Sequence, residues 1–254
     1  MFVVYIRDVL SKVAQRKYQS LGASKKRPTM KLISDGAFSV YCTDDLIYFI
    51  RKNPENHHDE FYKSDLNGLE MIEVEEYTHA KFGNAWKTVH SAYTECIKLK
   101  DGQFITCHFQ ASIIYLHDQS GKKIKEFNIG RLDNGFDTTY SIALDNENRL
   151  WLTQPTSHYV GQFSLETEKE LFSIGGDFEK PESFDHPEEV RIYGDFAYIC
   201  DMGNKRICRI NIYNYELEEY LIFEEPTWEY RQFKDKELVR LQSGLYALWK
   251  IASP

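Results

Sequence analysis

Short strand-like runs recur along this chain at nearly constant intervals, and this periodicity limits the folds open to it. The clearest run begins near residue 196 and reads AYIC, and its counterparts begin near residues 46, 103, 149 and 237. The steps between successive runs are 57, 46, 47 and 41 residues. A repeat of roughly 40–50 residues with four short strands in each unit is typical of a β-propeller.

The number of strands in each unit determines how the units must pack. A single four-stranded sheet cannot bury both of its faces, so successive sheets must pack side by side around an axis. We therefore predict one all-β domain, a β-propeller of five four-stranded blades. The predicted blades are residues 37–77, 92–130, 138–176, 187–223 and 227–254. Six blades, or an irregular β-sandwich, are the alternatives.

The fifth unit has only three strands, so another part of the chain must supply the fourth. The apolar run FVVYI at residues 2–6 is available, and we predict that this N-terminal strand closes the ring. Residues 7–31 form a basic segment in which apolar residues follow helical spacing. An extra degraded blade, packing on the domain and binding to an anionic surface all stay open for this segment.

Charge is distributed unevenly along the chain. The net charge is −8, but residues 1–31 carry eight Lys or Arg and one Asp, so the remainder carries −15. An acidic body argues against broad nucleic-acid binding, which requires neutralisation of phosphates. It favours a basic protein as partner, and the alternative that the acidic charge only keeps the protein soluble stays open.

The apolar runs and the cysteines of the chain indicate its cellular compartment. No apolar run approaches the roughly 20 residues of a membrane span, and residues 2–6 are too short for the core of a signal peptide. The five cysteines lie in strand-like runs without CxxC spacing. We therefore expect reduced core cysteines in a cytoplasmic protein that does not associate with membranes.

One unit resembles a known repeat family. Residues 186–223, which begin HPEEVRIYGDFAYICDMGNKRICRINI, are similar to an NHL repeat through Pro187, Tyr198, Ile199, Asp201, Gly203, Asn204, Arg206 and Ile207. In the turn of this unit we expect Asp201 and Asn204 to bridge the turn with side-chain-to-backbone bonds, Gly203 to supply a positive φ, and Arg206 to pair with Asp201. The resemblance implies a scaffold that binds proteins or RNA, although some related six-bladed propellers are metal-dependent hydrolases or lyases.

Alignment of the units predicts two polar rings at one face, where first strands begin and second strands end. The first-strand ring comprises Ser39, Glu95, Ser141, Glu189 and Glu229, and the second-strand ring comprises Arg51, His108, Gln154, Asp201 and Gln242. We call this face the working face and expect its three glutamates to make it acidic. Strand ends that line a solvent-filled opening would also be polar without any binding role, and that alternative stays open.

Aromatic residues and one histidine on nearby links complete the predicted binding surface, because exposed Trp and Tyr commonly anchor interfaces. The partner-binding residues that we predict are Glu95, Glu189, Glu229, His108, Gln154, Asp201, Trp228, Trp86, Tyr140 and His158. An alternative is that Trp228 and Tyr140 fill the space between blades.

Carboxylates at the mouth also suggest a metal alternative. Glu95, Glu189, Glu229 and Asp201 offer the oxygen ligands that calcium or another divalent cation prefers. The run His57-His58-Asp59-Glu60 offers a weaker chelating group or simply a solvated loop. Otherwise no cofactor is expected, and the chain has no GxSxG, HExxH or Walker A motif.

These observations favour a non-enzymatic, protein-binding propeller that is monomeric on its own. A small acidic binder of a basic partner is typical of an inhibitor or an immunity protein that neutralises a nuclease toxin. The first alternative is a metal-dependent hydrolase of the lactonase kind that uses the glutamate ring as ligands. The second is an RNA-binding domain like some NHL propellers.

Overall fold

The computed structural model describes residues 28–83, 85, 95–107, 113–128, 138–176 and 184–249. In these residues, twenty strands form five separate antiparallel sheets of four strands each. The prediction of a five-bladed propeller is confirmed. Among the described residues, no helix is long and apolar enough to cross a membrane.

The strands follow the order of the chain, except that β1 (Thr29–Asp35) belongs to the last blade. Blade 1 comprises β2 (Ala37–Cys42), β3 (Ile47–Lys52), β4 (Asp59–Ser64) and β5 (Leu69–Ile72). Blade 2 comprises β6 (Glu95–Lys98), β7 (Phe104–Cys107), β8 (Ile113–His117) and β9 (Lys123–Asn128). Blade 3 comprises β10 (Ser141–Leu144), β11 (Arg149–Gln154), β12 (Tyr159–Ser164) and β13 (Lys169–Gly175).

Blade 4 comprises β14 (Pro187–Tyr193), β15 (Phe196–Asp201), β16 (Arg206–Asn211) and β17 (Leu217–Ile222). Blade 5 comprises β18 (Thr227–Phe233), β19 (Lys236–Leu241), β20 (Gly244–Trp249) and β1. A short 3₁₀ helix (Pro155–Ser157) joins β11 to β12. In every blade the first strand is innermost, so the five first strands surround the axis.

An N-terminal strand closes the ring, as predicted, but it is β1. This strand pairs antiparallel with β20, so that Thr29 lies opposite Trp249 and Asp35 lies opposite Gly244. β1 therefore takes the place that the sequence analysis gave to residues 2–6, which lie outside the described residues. The strand was missed because its first four residues are exposed and it shows no alternation of apolar and polar positions.

The predicted range of the first blade, residues 37–77, extends beyond its last strand. Its fourth strand stops at Ile72, and Val74–Phe82 forms the helix α1 instead of continuing the strand to residue 77. The reason is the burial of one side of this helix: Tyr77 and Phe82 are almost inaccessible and pack against blades 1 and 2 respectively.

The core lies in the wedges between adjacent blades. Trp151 and Val160 of blade 3 pack with Val190 and Ile199 of blade 4, and similar clusters join blades 2 to 3, 4 to 5 and 5 to 1. Each fully buried side chain of this size stabilises the fold by about 1.5–3 kcal/mol. All five cysteines are free, and three of them are buried in strands.

Candidate functional site

A cavity of about 320 Å³ lies on the propeller axis. The first strand of every blade, or the residue just before it, contributes to its wall. The lining residues are Phe38, Ser39, Lys81, Glu95, Tyr140, Ser141, Glu188, Glu189, Trp228, Glu229, Arg231 and Arg240. All five residues of the predicted first-strand ring are in this set, so the alignment of the blades located the axial cavity correctly.

Two arginines that were not predicted as site residues connect the glutamates of this ring: Arg191 is half-buried and Arg231 is buried. Nη2 of Arg191 lies 3.0 Å from Glu95 and 2.8 Å from Glu189. Nη1 of Arg231 lies 2.6 Å from Glu189, and its Nη2 lies 3.3 Å from Glu229. The carboxylates and guanidinium groups therefore alternate along a continuous chain around the axis.

Further cations complete the pairing. Nε of Arg240 donates to Glu229 at 3.1 Å, and Nζ of Lys81 donates to Ser39 at 3.1 Å. Burial alone would raise the pKa of Glu229, but Arg240 and Arg231 outweigh it and hold that pKa below its usual value. Burial also favours the neutral form of Lys81 and lowers its pKa.

These pairs determine the charge of the mouth. Four glutamates, the three of the ring and Glu188, lie together with four basic side chains, Lys81, Arg191, Arg231 and Arg240. The acidic character that the glutamates predicted is therefore not confirmed at the axis. The arginines were detectable in the sequence, because Glu189-x-Arg191 and Glu229-x-Arg231 place both charges on one side of a strand.

Three of the ring residues also join their own blade to the next. Glu189 of blade 4 accepts the backbone N–H of Tyr230 in blade 5 at 2.7 Å. Glu229 of blade 5 accepts the backbone N–H of Val40 in blade 1 at 2.6 Å. Ser141 of blade 3 accepts the N–H of Val190 in blade 4 at 3.3 Å. The polarity of the ring thus has a structural role.

Asp201, the fourth carboxylate of the proposed metal set, is not part of this ring. Its side chain lies at the end of β15 and accepts hydrogen bonds from Arg206 at 2.7 Å and Asn204 at 2.9 Å. The pairing of Arg206 with Asp201 was predicted, whereas Asn204 bonds the Asp201 side chain and not the backbone. Among the described residues, Asp201, Glu95, Glu189 and Glu229 do not form a common group of metal ligands.

Two buried side-chain oxygens have no hydrogen-bond partner in the described structure: Oε2 of Glu188, at the wall of the cavity, and Oε1 of Gln154, at the end of β11. Glu188 is 7% exposed, and burial raises its pKa to about 7 against the opposing influence of His186 and Arg240. Glu188 was not predicted because strict alternation would place its side chain on the opposite side of the strand from Glu189. A register shift between Pro187 and Glu189 interrupts that alternation, and four consecutive residues of β14 are buried.

Two predicted aromatic residues lie at the rim of the cavity. Tyr140 is 41% exposed, whereas Trp228 is half-buried and donates from Nε1 to Gln242 at 3.2 Å. The Arg240 guanidinium lies over the Trp228 ring, 4.8 Å from its centroid, in a cation–π contact. Trp86 and His108 lie outside the described residues.

His158, predicted on the working face, lies beside two residues that the sequence analysis did not select. Asp185 Oδ1 is 2.8 Å from Nδ1 of His186 and 3.4 Å from Nδ1 of His158. The two imidazole rings meet edge to face with centroids 4.7 Å apart. Because His158 follows β11 of blade 3 and Asp185 precedes β14 of blade 4, only adjacency of the blades brings them together.

The turn that resembles an NHL repeat supports this cluster. Asp201 accepts the backbone N–H of Asp185 at 2.7 Å, and the N–H of Gly203 donates to the Asp185 carbonyl at 2.8 Å. The prediction of a positive φ at Gly203 is wrong, because the left-handed residue of this turn is Lys205, with φ 55°. Gly203 is needed for space instead, since a Cβ there would lie 2.2 Å from Oδ2 of Asp185.

The chain matches no protein-family model and no curated protein. It is similar to solved structures of a catalytically inactive virginiamycin B lyase from Staphylococcus aureus with quinupristin (14% identity, TM-score 0.47, 89% of this chain and 75% of that one) and of a streptogramin B lyase (15%, 0.47, 89% and 74%). The computationally designed Ika8 protein is similar at 8% identity and TM-score 0.45, over 85% of this chain and 71% of that one. These likenesses are too low to support any statement about activity, and the NHL resemblance stays a prediction.

Proposed function

We propose that this propeller is a non-enzymatic binding module that receives a basic side chain of a protein partner at the axial cavity. The observation that supports this proposal is the unpartnered oxygen of Glu188 at the wall of that cavity. The ring glutamates beside it are all paired with arginines. Among the described cavity residues, Glu188 is the carboxylate that has a buried oxygen without a hydrogen-bond partner.

A buried polar oxygen without a partner costs free energy, because it has lost its bonds to water. An incoming guanidinium or ammonium group would supply a charge-assisted hydrogen bond and remove that cost. A basic side chain would also favour the ionised form of Glu188, whose pKa burial raises to about 7.

The rim and the overall charge suit such a partner. Tyr140 and Trp228 are of the types that dominate binding energy at protein interfaces. The −15 charge of the chain after residue 31 would speed the encounter with a basic protein. An inhibitor or immunity protein against a basic nuclease is the finer form of this proposal, and it rests on charge.

The two alternatives have less support at the axis. The hydrolase alternative takes Glu95, Glu189 and Glu229 as metal ligands, and these carboxylates are engaged by Arg191, Arg231 and Arg240. The RNA alternative depends on the basic segment 7–31, most of which lies outside the described residues.

Affinity capture with the purified protein as bait tests the proposal. We would compare the wild type with Glu188→Gln, Trp228→Ala and the control Glu166→Gln, which changes an exposed glutamate in the β12–β13 turn at the opposite face. We expect a basic protein to be captured by the wild type and the control and to be lost with the two mouth variants. Equal capture by all four proteins, or capture that ribonuclease abolishes, would count against it.

A further inference from the structure

We propose that His158, Asp185 and His186 form a binding site for a divalent transition-metal ion, with zinc as the representative ion. The site lies on the working face where blades 3 and 4 meet. Among the described residues, these three are the one group of His, Cys, Asp or Glu side chains whose ligand atoms all lie within 4.8 Å of one another.

The distances are close to those of a coordination sphere. Zinc bonds of about 2.0–2.2 Å to nitrogen and oxygen place tetrahedral ligands about 3.4 Å apart. The distance from Nδ1 of His158 to Oδ1 of Asp185 is 3.4 Å, and that from Nδ1 of His186 is 2.8 Å. Capture of an ion therefore requires the Asp185–His186 pair to open by about half an ångström.

The hydrogen bonds indicate where a cation would be favourable. The backbone N–H of His186 donates to Nδ1 of His158 at 3.1 Å, so the lone pair of this nitrogen accepts that bond, and metal binding would exchange it for a bond to the ion. The same nitrogen faces the Asp185 carboxylate, which is also an acceptor. Two electron-rich atoms thus lie side by side, and a shared cation would relieve their repulsion after a small rotation of the His158 ring.

The ligand types select the class of ion. Imidazole nitrogen suits zinc, iron, copper and nickel, whereas calcium and magnesium prefer a shell of oxygen atoms. Three protein ligands also leave a coordination position open for water or an external group. The side chains of His158, Asp185 and His186 are 17%, 40% and 45% exposed, so an ion can reach them from solvent.

The backbone around the cluster is held tightly on both sides. On one side, Asp201 and Gly203 bind the main chain of Asp185, and the N–H of Met202 donates to the His186 carbonyl at 3.2 Å. On the other side, the N–H of Gly176 donates to the His158 carbonyl at 3.2 Å. These bonds fix the main chain from which all three side chains of the cluster project.

The metal site is separate from the binding of a basic side chain at Glu188, so either can fail without the other. Calorimetric titration of the EDTA-treated full-length protein with zinc chloride alone tests it. We expect one zinc ion per chain and no comparable binding of calcium. His158→Ala and His186→Ala should each raise the zinc dissociation constant at least tenfold.

The matched control is the double variant His57→Gln/His58→Gln, which removes two exposed loop histidines and should leave zinc affinity unchanged. Substitution with cobalt provides a spectroscopic readout, since its visible bands should appear with the wild type and disappear with His186→Ala. Circular dichroism confirms that the variants are folded. Zinc binding well below one ion per chain, or equal affinity in the wild type and both cluster variants, would overturn the proposal.

Discussion

Gly203 and Asp185 lie so close together that a Cβ at residue 203 would be 2.2 Å from Oδ2 of Asp185. The glycine of the best-formed repeat is therefore explained by a contact with the preceding link between blades. Its turn serves two purposes, since it connects β15 to β16 and also holds Asp185 and His186 at the working face.

The first prediction concerns this contact. Gly203→Ala should lower the free energy of unfolding by about 1–3 kcal/mol, because the new methyl group overpacks the site and displaces the carboxylate. The same variant should weaken zinc binding at least tenfold. Urea denaturation and zinc titration measure the two effects.

Gly68→Ala is the matched control for that experiment, because a Cβ there meets nothing within 4 Å and its φ is not positive. It should change the stability by no more than about 1 kcal/mol and leave zinc binding as it is. Equal stabilities and equal zinc affinities of the two variants would show that the Gly203–Asp185 contact has no importance.

The second prediction contrasts two adjacent glutamates. Glu189→Gln should destabilise the protein by about 3–5 kcal/mol, because it leaves the buried Arg231 without its strongest partner. Glu188→Gln should cost less than about 1 kcal/mol at neutral pH, since the oxygen that it replaces has no partner to lose. Denaturant titrations of both variants measure this difference, and similar losses in the two would contradict the pairing described for the ring.

The third prediction is a pH dependence of stability that originates at His117. This side chain is 8% exposed, stacks on Phe104, and is hydrogen-bonded at both nitrogens, 2.9 Å from Thr106 and 3.2 Å from the Gly121 carbonyl. Burial lowers its pKa and the charge of Lys123 acts in the same direction, whereas Gly121 and Asp118 oppose them.

Because the pKa is lower in the folded than in the unfolded protein, the unfolded state takes up the proton first as the pH falls. The stability that the neutral ring contributes is present above the unfolded pKa of about 6.5 and decreases as the pH falls through and below it. Urea denaturation between pH 5.5 and 7.5 should therefore show a smaller decrease for His117→Gln than for the wild type. Parallel profiles would contradict the assignment to His117.

The sequence predicted the blades better than the chemistry between them. Strand periodicity and the position of the glutamates along the first strands were sufficient to predict five blades and the axial ring. β1 was not predicted because this exposed outer strand shows no alternation of apolar and polar residues. α1 was not predicted because its apolar residues contact two different blades.

The candidate sites were harder to predict for a different physical reason. Glu188 becomes buried through a register shift that alternation does not anticipate, and His158 meets Asp185 only after two blades have packed together. The arginines of the ring were present as Glu-x-Arg pairs, but Arg191 also pairs with Glu95, which lies 96 residues earlier in another blade.

The affinity of the captured partner for three purified proteins tests the central claim most directly. Isothermal titration calorimetry would compare the wild type, Glu188→Gln and the opposite-face control Glu166→Gln. If a basic side chain binds at Glu188, the dissociation constant should rise at least tenfold for Glu188→Gln and should not change for Glu166→Gln. The same dissociation constant for all three proteins would contradict the claim that the axial cavity is the binding site.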